Sequence, residues 1–245
     1  MRPITRAALA ASTLLALLAL SPQTLASPAA AGSDPRDPSL SATERLDVLI
    51  ERIKLEQAKV KTLEARFVQR QSSEFLVAPE ESRGVFSYAS PDRVRWEYET
   101  PKPITLIIDG KTMTTWYRDL ARADEMKIGR YSERVLKYLG ATGSIETLLE
   151  YFDVRAAFPG DAKTPFRLEM TPRFARIAKR LKALTIWIDG STYLPTQIHY
   201  TGGDGSVTEY RFENPTLNAT LPADRFELKL PPGVDVRVVD LDRGQ

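Results

Sequence analysis

The sequence predicts a mainly β protein of the α+β class, built on one large antiparallel sheet with a dry face and a wet face. Three observations carry this expectation. Val94, Trp96 and Tyr98 alternate with Arg93, Arg95, Glu97 and Glu99, so one strand presents an apolar face and a charged one. Similar short runs recur at turn-length spacing over most of the chain. Only three stretches have clear helical periodicity, which leaves little material to cover the dry face.

The N-terminus sets the compartment. Arg2 and Arg6 precede an apolar run over residues 7–20, and Thr24 and Ala26 stand at the −3 and −1 places of a signal-peptidase site. A membrane helix needs ~20 apolar residues, and Ser21-Pro22 stops this run short. The expectation is a cleaved export signal over 1–26, with Ala31 as the fallback cleavage point, and a periplasmic mature chain. Residues 27–40, rich in Pro, Ala and Ser, read as a flexible leader. One domain is expected over 41–240.

Order begins at Ser41-Ala42-Thr43-Glu44, which fits the S-x-x-E capping box. Leu46, Leu49, Ile50 and Ile53 follow at helical spacing, in a helix expected to end near Lys61. The period then changes to two. Leu63, Ala65 and Phe67 alternate into Gln69, Phe86 and Tyr88 mark a second strand before Ser90-Pro91, and Val94–Tyr98 form a third. Asp109-Gly110 separates Ile104–Ile108 from Met113–Tyr117 as a tight hairpin. Ser132 and Ser144 each cap an expected short helix, one carrying Val135, Leu136 and Leu139, the other Ile145, Leu148 and Leu149.

Strands are expected again at 166–170, 184–188, 198–200, 208–212 and 226–230, with a second hairpin at Asp204-Gly205. Residues 173–182 fit either a short helix or a basic loop. Such a sheet either packs as an ordinary core or curls around a ligand space, and periodicity leaves both open.

Composition excludes several kinds of chemistry. There is no cysteine, so neither a lipidated N-terminal cysteine nor a disulfide is available. The 34 basic and 32 acidic residues become 32 and 32 without residues 1–26, which gives no electrostatic footprint for nucleic acid. His199 is the sole histidine and falls mid-strand, which argues against a catalytic triad and a zinc site. Gly110-Lys111-Thr112 lacks the earlier glycine and the following helix of a phosphate loop. The repeated Ile-Asp-Gly at 108–110 and 188–190 is the chemistry of tight turns rather than of paired catalytic carboxylates. No catalytic residue, metal site or cofactor is expected, and the chain is read as a non-enzyme.

From about Val60 to Val238 the chain resembles the periplasmic lipoprotein carriers of the LolA family. Ala65-Arg66-Phe67-Val68-Gln69 resembles the family's opening strand. Gly84-Val85-Phe86-Ser87-Tyr88, Pro91 and Val94-Arg95-Trp96-Glu97-Tyr98 are similar to its G-x-Φ-x-Φ…P…Φ-x-W stretch. Residues 103–117 resemble its Asp-Gly-Lys hairpin, and Met170-Thr171-Pro172, the strand over 184–188, Pro195 to Tyr200 and the closing FELKLPPGV complete the series in family order.

The resemblance implies an incomplete antiparallel barrel, or strongly curved sheet, whose apolar concave face lies under a helical lid. It implies a lipid cavity for which Phe67, Phe86, Val94, Trp96, Tyr98, Ile107 and Trp116 are the candidates. Val135, Leu136, Leu139, Ile145, Leu148 and Leu149 are the candidates for the lid. It further implies a monomer that takes an acylated lipoprotein from an inner-membrane ABC-type releasing complex and passes it to an outer-membrane receptor. Carriage of another lipid or glycolipid, or a lipid-sensing regulatory module of the same fold, are the alternative readings. One departure stands out: the best-known branch has an arginine immediately before the Pro91 position, where it latches the lid, and this chain has Ser90.

Overall fold

The computed structural model describes residues 33–74, 76–110, 112–128 and 145–239, with the side chains of 146–148 left aside. The expected helix carrying Val135, Leu136 and Leu139 therefore lies outside the described residues, as does the side chain of Leu148, and the export signal lies outside them too.

Helix α1 (Ala42–Lys59) starts as its capping box dictates. Ser41 Oγ accepts from the Glu44 N–H at 3.3 Å, and the Glu44 carboxylate accepts from the Ser41 N–H at 2.8 Å. The helix stops two residues before Lys61 because Val60 is already extended and Thr62 opens the first strand. Leu49, Ile50 and Ile53 face inward, each worth about 1.5–3 kcal/mol when removed from water.

Two antiparallel meanders then build one sheet. The first is β1 (Thr62–Ser72), β2 (Glu80–Ala89), β3 (Arg93–Thr100), β4 (Ile104–Asp109), β5 (Thr112–Tyr117) and β6 (Arg122–Lys127). After α2 (Ile145–Tyr151), the second is β7 (Phe152–Ala157), β8 (Phe166–Pro172), β9 (Leu181–Ile188), β10 (Pro195–Gly202) and β11 (Val207–Leu217), with the one-turn helix α3 (Ala175–Ala178) between β8 and β9. Strand β11 returns to pair with β1, which joins the meanders. Strand β12 (Asp235–Val239) adds itself parallel to β6. The strand order is β12-β6-β5-β4-β3-β2-β1-β11-β10-β9-β8-β7, so the sheet has two edges and is not closed.

Both expected hairpins form. Gly110 has φ +55°, with Asp109 paired to Thr112, and Gly205 has φ +88° in the turn from Gly202 to Ser206.

One expected strand does not form. Residues 226–230 alternate, yet Pro222 before them and Pro231-Pro232 after them cannot donate to a ladder. Instead residues 218–234 cross the outer face as a strap. Asn218 accepts from the Lys61 N–H at 2.7 Å, and Arg95 donates to the carbonyls of Arg225 and Glu227. The guanidinium of Arg93 lies over the Phe226 ring. Residues 173–182 resolve as the single turn of α3 within a basic connection.

The inner face carries two apolar clusters. The first joins Leu49, Ile50 and Ile53 of α1 to Phe152, Phe166, Leu168, Met170, Ile186 and Ile188 of β7–β9. The second lies on β1–β4, with Tyr210 and Phe212 of β11 at its border.

Candidate functional site

The second cluster is the candidate site, and strand register assembles it. Phe67 on β1 pairs with Gly84 on β2, and Gly84 pairs with Tyr98 on β3. Phe86 pairs with Trp96 and Trp96 with Leu106, while Tyr88, Val94, Ile108, Met113 and Met126 form the next row across five strands. From the other side, Phe212 of β11 pairs with Phe67. Residues two apart on each strand share a face, so these rows make one continuous apolar surface.

Trp96 stands at the centre. Its ring centroid lies 4.8 Å from those of Phe67 and Phe86, 5.3 Å from Tyr210 and 5.9 Å from Phe212. These edge and tilted contacts are the geometries aromatic quadrupoles favour. Every member of the cluster is uncharged. The polar atoms within it are neutral donors. The Trp96 indole N–H is buried without an acceptor, and the hydroxyls of Tyr98 and Tyr210 lie 3.5 Å apart. Burial pushes both phenols above their ordinary pKa, and for Tyr210 the neighbouring Tyr98 and Tyr200 add to the rise. Both therefore keep their protons across physiological pH.

Of the seven expected cavity residues, the structure brings together Phe67, Phe86, Val94, Trp96 and Tyr98. Ile107 and Trp116 lie on the opposite face. The hairpin sets Ile108 against Val94 and Met113, which turns Ile107 toward Arg95 and Thr114, and Trp116 toward Thr105 and Ala123. Trp116 instead carries the Arg118 guanidinium over its ring at 4.9 Å. Val94 is fully buried.

Of the expected lid residues, Ile145 is buried in the first cluster and Leu149 packs at its border, beside α1 rather than over Trp96. The chain reaches these from Ile128, which is buried in the second cluster.

Leu63, Tyr88, Leu106, Ile108, Met113, Met126, Ile128, Tyr210 and Phe212 belong to the site without having been expected there. The register of the Asp109-Gly110 hairpin, rather than any alternation within β4, could have found Leu106, Ile108 and Met113. Nothing local announces that β11 lies beside β1.

The outer face is polar and self-compensated. Glu97 accepts from Arg95 at 2.8 Å and from Arg118 at 2.7 Å, and Arg118 also donates to the buried Thr105 hydroxyl. Burial alone would raise the Glu97 pKa, but hydrogen bonds and charge from Arg118 and Arg95 outweigh it and hold the carboxyl below its usual value. Arg225 of the strap pairs with Glu64 and donates to Ser87 Oγ. Two clefts of about 150 and 240 Å³ open on this face and are lined mainly by charged residues, the first by the pairs Arg211–Glu209 and Arg83–Glu81 among others, the second by Arg95, Asp224, Arg225 and Glu227 beside Pro222. His199 also faces outward, paired with Glu209 and Thr185. Among the described residues no three His, Cys, Asp or Glu side chains gather as a metal site.

The family model described as "Outer membrane lipoprotein carrier protein LolA" matches residues 58–229. The outer-membrane lipoprotein carrier protein of Alkalilimnicola ehrlichii is 30% identical over 181 residues, covering 72% of this chain and 78% of that one. Its counterpart from Methylibium petroleiphilum is 28% identical over 181 residues, covering 73% and 84%. Among solved structures, an uncharacterized conserved protein from Thermus thermophilus superposes with a TM-score of 0.51 at 11% identity, over 78% of this chain and 97% of that one. This last likeness is one of fold.

Proposed function

Because the chain belongs to the LolA family of outer membrane lipoprotein carrier proteins, we propose that its inner face holds the acyl chains of lipoproteins during their passage from the inner to the outer membrane. The observation that carries this reading is the uncharged aromatic surface centred on Trp96, which contains no residue from a described helix. The first cluster, by contrast, is filled by α1.

The physics of the task is a matching problem. Each buried methylene is worth ~0.8 kcal/mol, so an acyl chain of ~15 methylenes resists water by on the order of 12 kcal/mol. A carrier needs a surface about as dry as a bilayer, so that loading and unloading are each close to neutral. Phe67, Phe86, Trp96, Tyr98 and Phe212 offer such a surface, and their rotatable rings can re-pack around a chain. Ile107 and Trp116, on the outer face, are not part of the proposed lining.

The reading assigns the chain no chemical step. It places the mature protein in the periplasm after removal of residues 1–26. A releasing complex at the inner membrane and a receptor at the outer membrane are its proposed partners.

The test is mass spectrometry of material purified from the periplasm without detergent. Acylated polypeptides in the bound fraction are the expected result. Free phospholipid or glycolipid without acylated protein would instead identify a carrier of another lipid. A preparation free of lipid and lipoprotein, unable to take up either when offered, would overturn the carrier reading.

A further inference from the structure

We propose that the rim of the sheet at which β1 ends is a docking surface for an anionic lipid bilayer, led by the basic turn between β8 and β9. Residues 173–182 contain Arg173, Arg176, Lys179, Arg180 and Lys182 and no acidic residue. Arg173 is engaged by Asp153 at 2.9 Å, but Arg176, Lys179 and Arg180 are exposed and make no ion pair among the described residues. Phe174, in the same turn, is 48% exposed, with its ring edge against Tyr151 at 6.1 Å.

Topology adds the second observation. Because the strands alternate in direction, the β1–β2, β5–β6 and β8–β9 connections all fall on one rim. Each of the three tips presents a large apolar side chain to water: Val77 fully, Leu120 at 63% and Phe174. On the opposite rim, among the described residues, only the strand ends Leu217 and Val239 do so, at 37% and 38%. Glu74 and Asp119 lie elsewhere on this rim, whereas Asp204 sits beside the β8–β9 turn, where the neighbouring Gly203 N–H donates to the Arg180 carbonyl at 2.8 Å. Arg176, Lys179, Arg180 and Lys182 outnumber that one carboxylate and leave the turn with an excess of positive charge.

Apolar tips beside unpaired cations match the boundary between headgroups and acyl chains, where the one inserts and the other meets anionic lipid. The near-equal numbers of basic and acidic residues over the chain make this a local attraction rather than a global one. Three tips on separate hairpins along one rim suit an extended plane better than the groove of a single protein partner. Nothing in this depends on which cargo the inner face carries.

Flotation with vesicles tests the proposal. The full chain, expressed from its own start and purified without detergent, is mixed with phosphatidylcholine vesicles that either lack or contain phosphatidylglycerol. Wild type is expected to float with the phosphatidylglycerol vesicles and to release as salt is raised. Arg176→Gln, Lys179→Gln and Arg180→Gln should each weaken partitioning about fivefold. Phe174→Ser with Leu120→Ser should weaken it further at high salt, where the charge is screened. All five positions are exposed, and unchanged thermal melting confirms that the variants fold. Failure of wild type to bind phosphatidylglycerol vesicles, or a triple Gln variant that floats as wild type does, would overturn the proposal. Capture by an acidic protein without vesicle binding would overturn it as well.

Discussion

Phe67 on β1 stands edge-on to Trp96 on β3, ring centroids 4.8 Å apart, although β2 runs between their strands. Gly84 makes this possible. It is the β2 residue paired with both Phe67 and Tyr98, and its missing side chain lets the Phe67 ring lean across to β3. A Cβ at position 84 would run into the Glu97 carbonyl and come within 2.9 Å of Phe67 Cε1.

Gly84→Ala is therefore expected to destabilise by about 1–3 kcal/mol, as over-packed sites do. At about 2–4 °C per kcal/mol for a domain of this size, thermal melting will resolve the loss. The near-ultraviolet circular dichroism should change with it, because the aromatic contacts must shift. Wild-type melting with an unchanged aromatic signal would show that β3 can draw back without cost.

Trp96 allows a finer comparison. Its ring is buried among four aromatics, while its N–H lacks an acceptor. Trp96→Ala should cost about 3–5 kcal/mol. Trp96→Phe keeps an aromatic ring and removes a buried donor whose desolvation costs about 1–3 kcal/mol, which offsets part of the lost packing. Denaturant unfolding should place the Phe variant within about 1 kcal/mol of wild type. A loss for Phe close to that for Ala would mean that the indole N–H has found an acceptor.

Much of this site can be read in the sequence, and the parts that cannot have physical causes. Val94, Trp96 and Tyr98 alternate with charges, so their common face is legible. Residues 104–108 are apolar at four of five positions, so their parity is ambiguous until the hairpin at Gly110 fixes the register, and the expected place of Ile107 falls on the wrong side. Trp116 follows it for the same reason. Strand β6 (RADEMK) escapes notice because an element near the sheet edge, with charges on both faces, has no hydrophobic period. The run 226–230 has the period of a strand but no neighbour to pair with, which only its flanking prolines signal. The pairing of β11 with β1, which brings in Tyr210 and Phe212, joins segments far apart in sequence and leaves no local mark.

The outer face supplies a pH dependence. The Glu97 carboxyl is held below its ordinary value of 4.5 by Arg118 and Arg95 against the opposing effect of burial. A folded-state pKa below the unfolded one gives stability that is present above the unfolded value and lost as pH falls through the folded one. Stability should thus decline from about pH 4.5 downward, and Glu97→Gln should flatten that part of the curve. Urea unfolding across the acid range checks this. Equal acid sensitivity of the two proteins would mean that other carboxylates dominate.

The inner face offers a test that separates packed core from cargo surface. Val94 is enclosed by its neighbours and shut off from water, so Val94→Glu forces a carboxylate into an apolar cluster at a cost of several kcal/mol unless it stays protonated. Its pKa would rise on folding, so the variant should be least stable at neutral pH and recover as pH falls toward the ordinary glutamate range. Leu106 lies on the same face, one strand away and paired with Trp96, but is only half-buried at the border of the cluster. A carboxylate there can reach water, so Leu106→Glu should fold nearly as wild type does while placing a charge where acyl chains are proposed to lie. Lipid or lipoprotein loading should then drop by about tenfold or more, since even one poorly solvated charge on a dry surface costs over ~1.4 kcal/mol. Melting curves beside a loading assay distinguish the two effects. If Leu106→Glu loads as well as wild type and remains folded, the cargo does not lie against β4, and the site must be sought elsewhere on the inner face.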